Sequence, residues 1–216
     1  MSASALSISL AAEEDASAIA SLTTVAFAAC DAAYPLIWGS AQEGTHDMIA
    51  EKGLFTPVQK EGRITFKAVD DASGKIVGFV TWIMPKEKVV VSQAGLGQKG
   101  IGLPDLPGVN MELWGEKVAG PRQFHDRDVD ESKDMHLSFF FVHPDYQRRG
   151  IGSKLLEWGK QKGDELGAKI WLTSTPQARV AYEKNGWKVV EKHEIDLGKY
   201  GGEGSYIRFW MLRSPV

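Results

Sequence analysis

Apolar and polar positions repeat with two different periods along this chain, and the change from one to the other maps its elements. Residues Ile8 to Leu10 fit a short first strand. Glu13, Glu14 and Asp15 then open a helix to about Ala29, with the acids placed where the helix dipole favours negative charge. Ile19, Leu22 and Phe27 form its candidate buried face. Tyr34 to Trp38 is aromatic and reads as broken by Pro35, and a second helix covers about Thr45 to Lys52. Arg63 to Val69 alternates through Ile64, Phe66 and Ala68, and Ile76 to Ile83 is β-branched and aromatic. The turn sequence Asp70-Asp71-Ala72-Ser73-Gly74-Lys75 between them makes this pair a hairpin.

From Pro85 to about Lys133 the periodicity dissolves. This stretch holds four of the nine prolines and many glycines, with one short helix around Asn110 to Lys117. An irregular insertion of this length in a compact domain reads as a functional loop or a disordered insert. Order returns with Met135 to Val142, of strand length and mostly apolar, followed by a turn at His143-Pro144-Asp145. A helix runs from about Gly150 to Leu166, with Ile151, Leu155, Trp158 and Leu166 on roughly one face. Lys169 to Thr173 is a short strand, and Gln177 to Lys184 a short helix ending at Asn185-Gly186. Trp187 to Ile195 and Ser205 to Leu212 close the chain as two strands across a glycine-rich turn. Strand, helix and strand from Met135 to Thr173 form a βαβ crossover, which requires a local parallel pair, whereas the flanking hairpins require antiparallel strands. The expected architecture is therefore α/β: one domain over residues 1–216, with a mixed, mostly antiparallel sheet, a central parallel pair and flanking helices.

Composition adds exclusions. At 216 residues the chain can bury a sizeable core, and 43% hydrophobic with 25% charged residues is ordinary for a globular protein. A net charge of −3 gives no general electrostatic reason to expect nucleic acid or an anionic membrane as partner. No apolar run approaches the ~18 residues of a membrane span. The acidic start lacks the positive charge of a signal peptide. The single cysteine, Cys30, cannot form an internal disulfide, so a reducing, cytoplasmic setting is expected. In its alanine-rich surroundings Cys30 reads as a buried small hydrophobe rather than a nucleophile.

The chemistry concentrates in Val142-His143-Pro144-Asp145-Tyr146-Gln147-Arg148-Arg149-Gly150-Ile151-Gly152-Ser153. A strand ends, a proline redirects the chain, and a helix starts among glycines whose backbone N–H groups can approach an anion closely. The helix terminus adds partial positive charge, and Arg148, Arg149 and Lys154 add whole charges. The segment can cradle a pyrophosphate; it can also be a solvated basic turn.

Gln147-Arg148-Arg149-Gly150-Ile151-Gly152 matches the Q/R-x-x-G-x-G/A signature of the GNAT superfamily of acetyl-CoA-dependent acyltransferases, and the preceding Val-His-Pro-Asp-Tyr is typical of that family. Tyr182-Glu183-Lys184-Asn185-Gly186-Trp187 resembles its tyrosine-x-x-x-glycine-aromatic segment. The resemblance is close over roughly residues 136–190 and elsewhere rests on element order. It implies acetyl-CoA as cosubstrate and a primary amine as acceptor, attacking the thioester directly. It implies that the backbone of Phe140, Phe141 and Val142 holds the pantetheine arm. The pyrophosphate then falls to Gln147, Arg148, Arg149, Gly150, Ile151, Gly152, Ser153 and Lys154. Thr175 stands where an asparagine often meets the cofactor. Tyr182 matches the residue that protonates the departing thiolate; otherwise it is a helix tyrosine packed on the sheet. Dimers are common in this family.

The general base is not carried by the motif, because Thr173 stands near where some relatives place a glutamate. His136 and Asp134 are the nearest titratable residues, and Glu112 and Glu116 are weaker candidates. The long insertion leans towards a small-molecule amine, with a protein amine or a non-catalytic acyl-CoA-binding module as the rival readings. Gly95-Leu96-Gly97-Gln98-Lys99-Gly100 spells a dinucleotide fingerprint, but Pro104 forbids the helix it must open. Asp126, Asp128 and Asp130 lack the glycine and glutamate of a calcium loop, and the histidines lack zinc-site spacing, so no metal is expected.

Overall fold

The computed structural model describes residues 5–86, 106–119 and 125–216. They form one sheet of seven strands in the order β1-β2-β3-β4-β5-β7-β6. The strands are β1 (Leu6–Leu10), β2 (Arg63–Asp70), β3 (Lys75–Ile83), β4 (Met135–Val142), β5 (Ile170–Ser174), β6 (Lys188–Asp196) and β7 (Ser205–Arg213). The helices are α1 (Ala16–Cys30), α2 (Tyr34–Trp38), α3 (Thr45–Ile49), α4 (Met111–Ala119), α5 (His125–Asp128), α6 (Ile151–Leu166) and α7 (Pro176–Glu183). Only β4 and β5 pair in parallel, across the α6 crossover; the other neighbours are antiparallel. This is the mixed α/β architecture that the βαβ pattern implies. The dinucleotide-like glycine stretch and about half of the insertion lie outside the described residues.

Each face of the sheet carries its own core. Val77, Val80, Trp82, Met135, Leu137 and Leu172 pack under Ile151, Leu155 and Leu156 of α6. Phe79, with Phe139 and Phe141 beside it, packs on the other face against Ile19, Ala20 and Leu22 of α1. A third cluster joins Ile37 and Trp38 of α2 to Leu113 of α4 and to Ile195, Leu197 and Tyr206 of the last hairpin. The visible end of the insertion is thereby fixed against the first helices and the final strands.

Three expectations need correction. Pro35 does not break its segment but sits in the first turn of α2, where a missing N–H leaves no intrahelical bond unmade. Leu166 is exposed; the buried face of α6 continues from Leu155 to Gly159 and Gly163 instead. A side chain at Gly159 would stand 2.1 Å from the Trp82 ring, so the helix can press on β3 only without one. Glycines carry no hydrophobic signal, which is why the pattern pointed to leucine. Cys30 is exposed rather than buried, and its thiol donates to the Ala26 carbonyl at 3.2 Å. Partial burial and neighbouring Asp31 push that thiol's pKa up, which argues against a nucleophile.

Candidate active site at the splayed strands

The parallel pair is short. Only Met135–Ile170 and His136–Trp171 are paired, after which β4 and β5 diverge. β4 continues against β3 as far as Val142, and β5 continues against β7 as far as Ser174. The edge of β4 that faces β5 therefore has no strand partner from Leu137 onward. Backbone N–H and C=O groups on such an edge demand partners, and an extended amide-bearing arm lying in the wedge can supply them.

The loop after β4 leads into the start of α6. Its three-residue 3₁₀ turn, Pro144–Tyr146, is capped by the His143 ring, which accepts from the Asp145 N–H at 3.2 Å. The Tyr146 hydroxyl donates to Asp70 at 3.3 Å, tying the loop to the β2–β3 hairpin. Gln147 donates to the Val142 carbonyl at 3.2 Å, and Arg149 donates to the Asp145 carbonyl at 2.6 Å while lying over the Tyr146 ring. These two side chains brace the loop. Arg148 takes a left-handed backbone conformation, φ 60°, and is the only described non-glycine residue with positive φ. Such a conformation costs on the order of 1–3 kcal/mol and persists where the surroundings impose it. Gly150 follows at φ 79° and opens α6, whose first turn has no side-chain cap. The uncapped N–H groups of that turn are orphan donors beside exposed Arg148 and Lys154. Gly152 sits where an added Cβ would come 2.9 Å from the Phe140 ring, so helix start and strand edge are in contact.

Tyr182 completes one wall. Carried on α7, its ring lies between Phe140 (5.6 Å between centroids) and Trp187 (5.9 Å), and is 5% exposed. Burial raises its pKa, with Arg208 opposing, so the hydroxyl keeps its proton across the neutral range. Phe140, Gly152 and Tyr182 are thus brought together. Thr175 is the N-cap of α7, at the end of β5, without a side-chain capping bond.

His136 is the last paired residue before the strands part. Its neighbours Met135 and Leu137 point into the α6 core, so by strand alternation it lies on the opposite face, with Phe139 and Phe141. Its ring stacks on Trp171, 3.4 Å between centroids and 3° between planes. Asp134 is engaged otherwise: its carboxylate accepts from the N–H groups of Asp130 (2.9 Å) and Lys169 (3.1 Å), fixing the entry to both strands. Glu116 accepts from the Tyr200 hydroxyl at 2.5 Å. Asp130 accepts from Ser132 within its own turn, as an acidic turn should.

A buried polar chain on the α1 side is new relative to the sequence reading. Lys117 of α4 forms an ion pair with Asp31 at 2.6 Å, and Tyr206 donates to the same carboxylate at 3.2 Å. Arg208 reaches the Tyr206 hydroxyl and both oxygens of Thr173. The Lys117 ammonium also lies 4.7 Å over the Phe27 ring, which meets Phe141 edge-on at 5.0 Å. The chain thus runs from β5 round to β4 across the mouth of the wedge. Burial lowers the Lys117 pKa, and Asp31 opposes that shift. Its members come from α1, α4, β5 and β7, and no spacing along the sequence joins them.

Residues 119–198, which hold β4, α6, β5 and α7, match the family model described as an acetyltransferase (GNAT) domain. Over these residues the chain is similar to the GNAT superfamily. Solved structures share its fold at low identity. The acetyltransferase yncA from Salmonella typhimurium, determined with acetyl-CoA, aligns over 97% of this chain and 94% of its own with 14% identity and a TM-score of 0.55. A GCN5-related N-acetyltransferase from Rhodopseudomonas palustris aligns over 99% and 98% with 16% identity and a TM-score of 0.54. The ribosomal-protein-S18-alanine N-acetyltransferase of Escherichia coli aligns over 97% and 94% with 16% identity and a TM-score of 0.52. No curated protein sequence matches. GNAT enzymes are acyltransferases with acetyl-CoA as cosubstrate. No described helix is long and apolar enough to cross a membrane.

Proposed function

We propose that this protein is a GNAT-type enzyme that transfers the acetyl group of acetyl-CoA to a primary amine of a small molecule in the cytoplasm. The observation that carries the reading is the unpartnered β4 edge leading straight into the Arg148–Lys154 cradle, with Tyr182 on the wall between them. The N–H groups opening α6, together with Arg148 and Lys154, hold the pyrophosphate. Phe140, Phe141 and Val142 offer backbone to the pantetheine arm. The donor supplies an activated thioester, whose carbonyl carbon an amine can attack once the amine has lost its proton.

Two side chains then divide the proton work between the faces of the sheet. His136, at the vertex of the wedge on the Phe139–Phe141 face, takes a proton from the acceptor. Tyr182, on the Phe140 face, gives one to the departing sulfur. A group that stays protonated at neutral pH suits the second task, since developing thiolate charge calls for a donor. Support for a small acceptor comes from α4, which packs Leu113 against α2 and the last hairpin and pairs Lys117 with Asp31 at the end of α1. A covered cleft admits a small amine more readily than a folded chain's surface.

The test is thiol release from acetyl-CoA over a panel of small amines, peptides with free N-termini and water, with acetylated products identified by mass. Turnover of small amines well above peptides supports the reading. Preference for peptides redirects it to protein N-termini, and no turnover with any acceptor leaves an acyl-CoA-binding module.

A further inference from the structure

The α1 side of the molecule holds a cavity of about 300 Å³ that the chemistry above does not use. Its lining includes Thr24, Tyr34, Trp38, Glu43, His46 and Asp47. Three rings converge there: Tyr34 and Trp38 approach His46 with centroids 5.2 and 4.7 Å apart. Thr24 joins the polar floor, its hydroxyl 2.6 Å from His46 Nδ1 and hydrogen-bonded to Asp47. The lining carries two carboxylates and neither lysine nor arginine. Burial, against the opposing pull of Asp47, brings His46 down to a pKa of about 4, so at neutral pH it adds no positive charge. The nearest cation to act on it, Lys117, is already committed to Asp31.

Aromatic faces beside carboxylates, in a cavity with no cation of its own, recognise an alkylammonium group. Aromatic rings attract a cation and the acids supply a counter-charge. Position links this cavity to the wedge. The Phe27 ring packs against His46 on one side (6.1 Å) and against Phe141 of β4 on the other (5.0 Å). One aromatic layer therefore separates the cavity from the splayed strand.

We propose that the Tyr34–Trp38–His46 cavity, with Asp47 and Glu43, holds a second ammonium group of the acceptor, so that the substrate class is a diamine or longer polyamine. One nitrogen is anchored in the cage while the other reaches the thioester. The proposal rests on the acetyltransferase reading for its consequence, but its binding claim does not.

Calorimetric titration of the protein without acetyl-CoA therefore comes first, using 1,4-diaminobutane and the uncharged 1,4-butanediol as probes. The diamine is expected to bind at least about tenfold more tightly, the size of one desolvated cation–aromatic and charge contact. The Glu43→Gln, Asp47→Asn double variant, which keeps shape and removes charge, is expected to lose most of that preference. If the double variant does not fold, Tyr34→Leu serves, since it removes a ring face and leaves the carboxylates. In thiol-release assays, where a monoamine must leave the cavity empty, kcat/KM for the diamine over 1-aminobutane should show a preference of similar size and the same collapse. Equal binding of the two probes to the wild-type protein, or a preference that survives both variants, overturns the proposal. Acetyl transfer to monoamines without diamine preference would refute the cage and leave the activity standing. Diamine binding without transfer to any amine would refute the activity and leave the cage.

Discussion

Replacement of Tyr182 by phenylalanine separates the chemical role of that residue from its packing. The ring is 5% exposed and held between Phe140 and Trp187 at 5.6 and 5.9 Å, contacts that do not involve the hydroxyl. Phenylalanine keeps the ring in place, so stability should change by no more than about 1 kcal/mol, a shift of roughly 2–4 °C in melting for a domain of this size. Affinity for acetyl-CoA should hardly change, because the cradle on α6 and the β4 edge are untouched. Turnover should fall by about 10²–10⁴, equivalent to roughly 3–5 kcal/mol of activation free energy, as when a positioned general acid is lost. The loss belongs in kcat more than in KM, since the proton is needed only as the thiolate leaves. Burial raises the Tyr182 pKa, so it stays protonated through neutral and mildly alkaline pH and should add no falling limb to the profile below about pH 10. Single-turnover measurements, with melting and acetyl-CoA titration on the same preparations, check all three. A Tyr182→Phe enzyme with wild-type kcat, under conditions where chemistry limits the rate, refutes the assignment.

Further outcomes follow from other contacts. Gly159→Ala drives a methyl to within 2.1 Å of the fully buried Trp82 and should cost about 1–3 kcal/mol despite better helix propensity. Gly115→Ala, in α4 with nothing within 4 Å, should instead gain about 0.5–1 kcal/mol; denaturation of the pair reads both signs. His46 titrates near 4 folded against 6.5 unfolded, so the unfolded chain binds the proton first as pH falls. Its contribution, roughly 3 kcal/mol, is complete above about pH 6.5 and lost towards pH 4. His46→Gln should flatten the stability profile in that window, and an unchanged slope would contradict this. His136→Gln should lower kcat/KM at neutral pH by about 10²-fold, with the deficit shrinking at higher pH as more acceptor is already neutral. A deficit that does not vary with pH argues for a structural histidine.

Much of this was legible in the sequence, for identifiable reasons. The β2–β3 hairpin and the β4–α6–β5 crossover announce themselves because local periodicity and turn chemistry agree with the final packing. The strand-to-helix corner at Gly150 could be read because its backbone need, a glycine with positive φ, is local. What escaped was determined by distant contacts. Gly159 and Gly163 carry the buried face of α6 through what they lack, so a hydrophobic pattern passes over them to Leu166. Pro35 looked like a break because its tolerance depends on which helical turn it occupies. The Asp31–Lys117–Tyr206–Arg208 chain joins residues from opposite ends of the sequence, and the His46 cage depends on rings that converge only after α1, α2 and α3 have packed.

The central claim, that the β4–β5 wedge and the α6 cradle bind acetyl-CoA, is tested most directly by thermal unfolding with that ligand. At about 100 times its dissociation constant, a ligand bound only by the folded state adds about 2.7 kcal/mol. For a chain of this length that raises the melting midpoint by roughly 5–10 °C. Acetyl-CoA should produce this shift and NAD should not. An unchanged midpoint in millimolar acetyl-CoA would contradict the account.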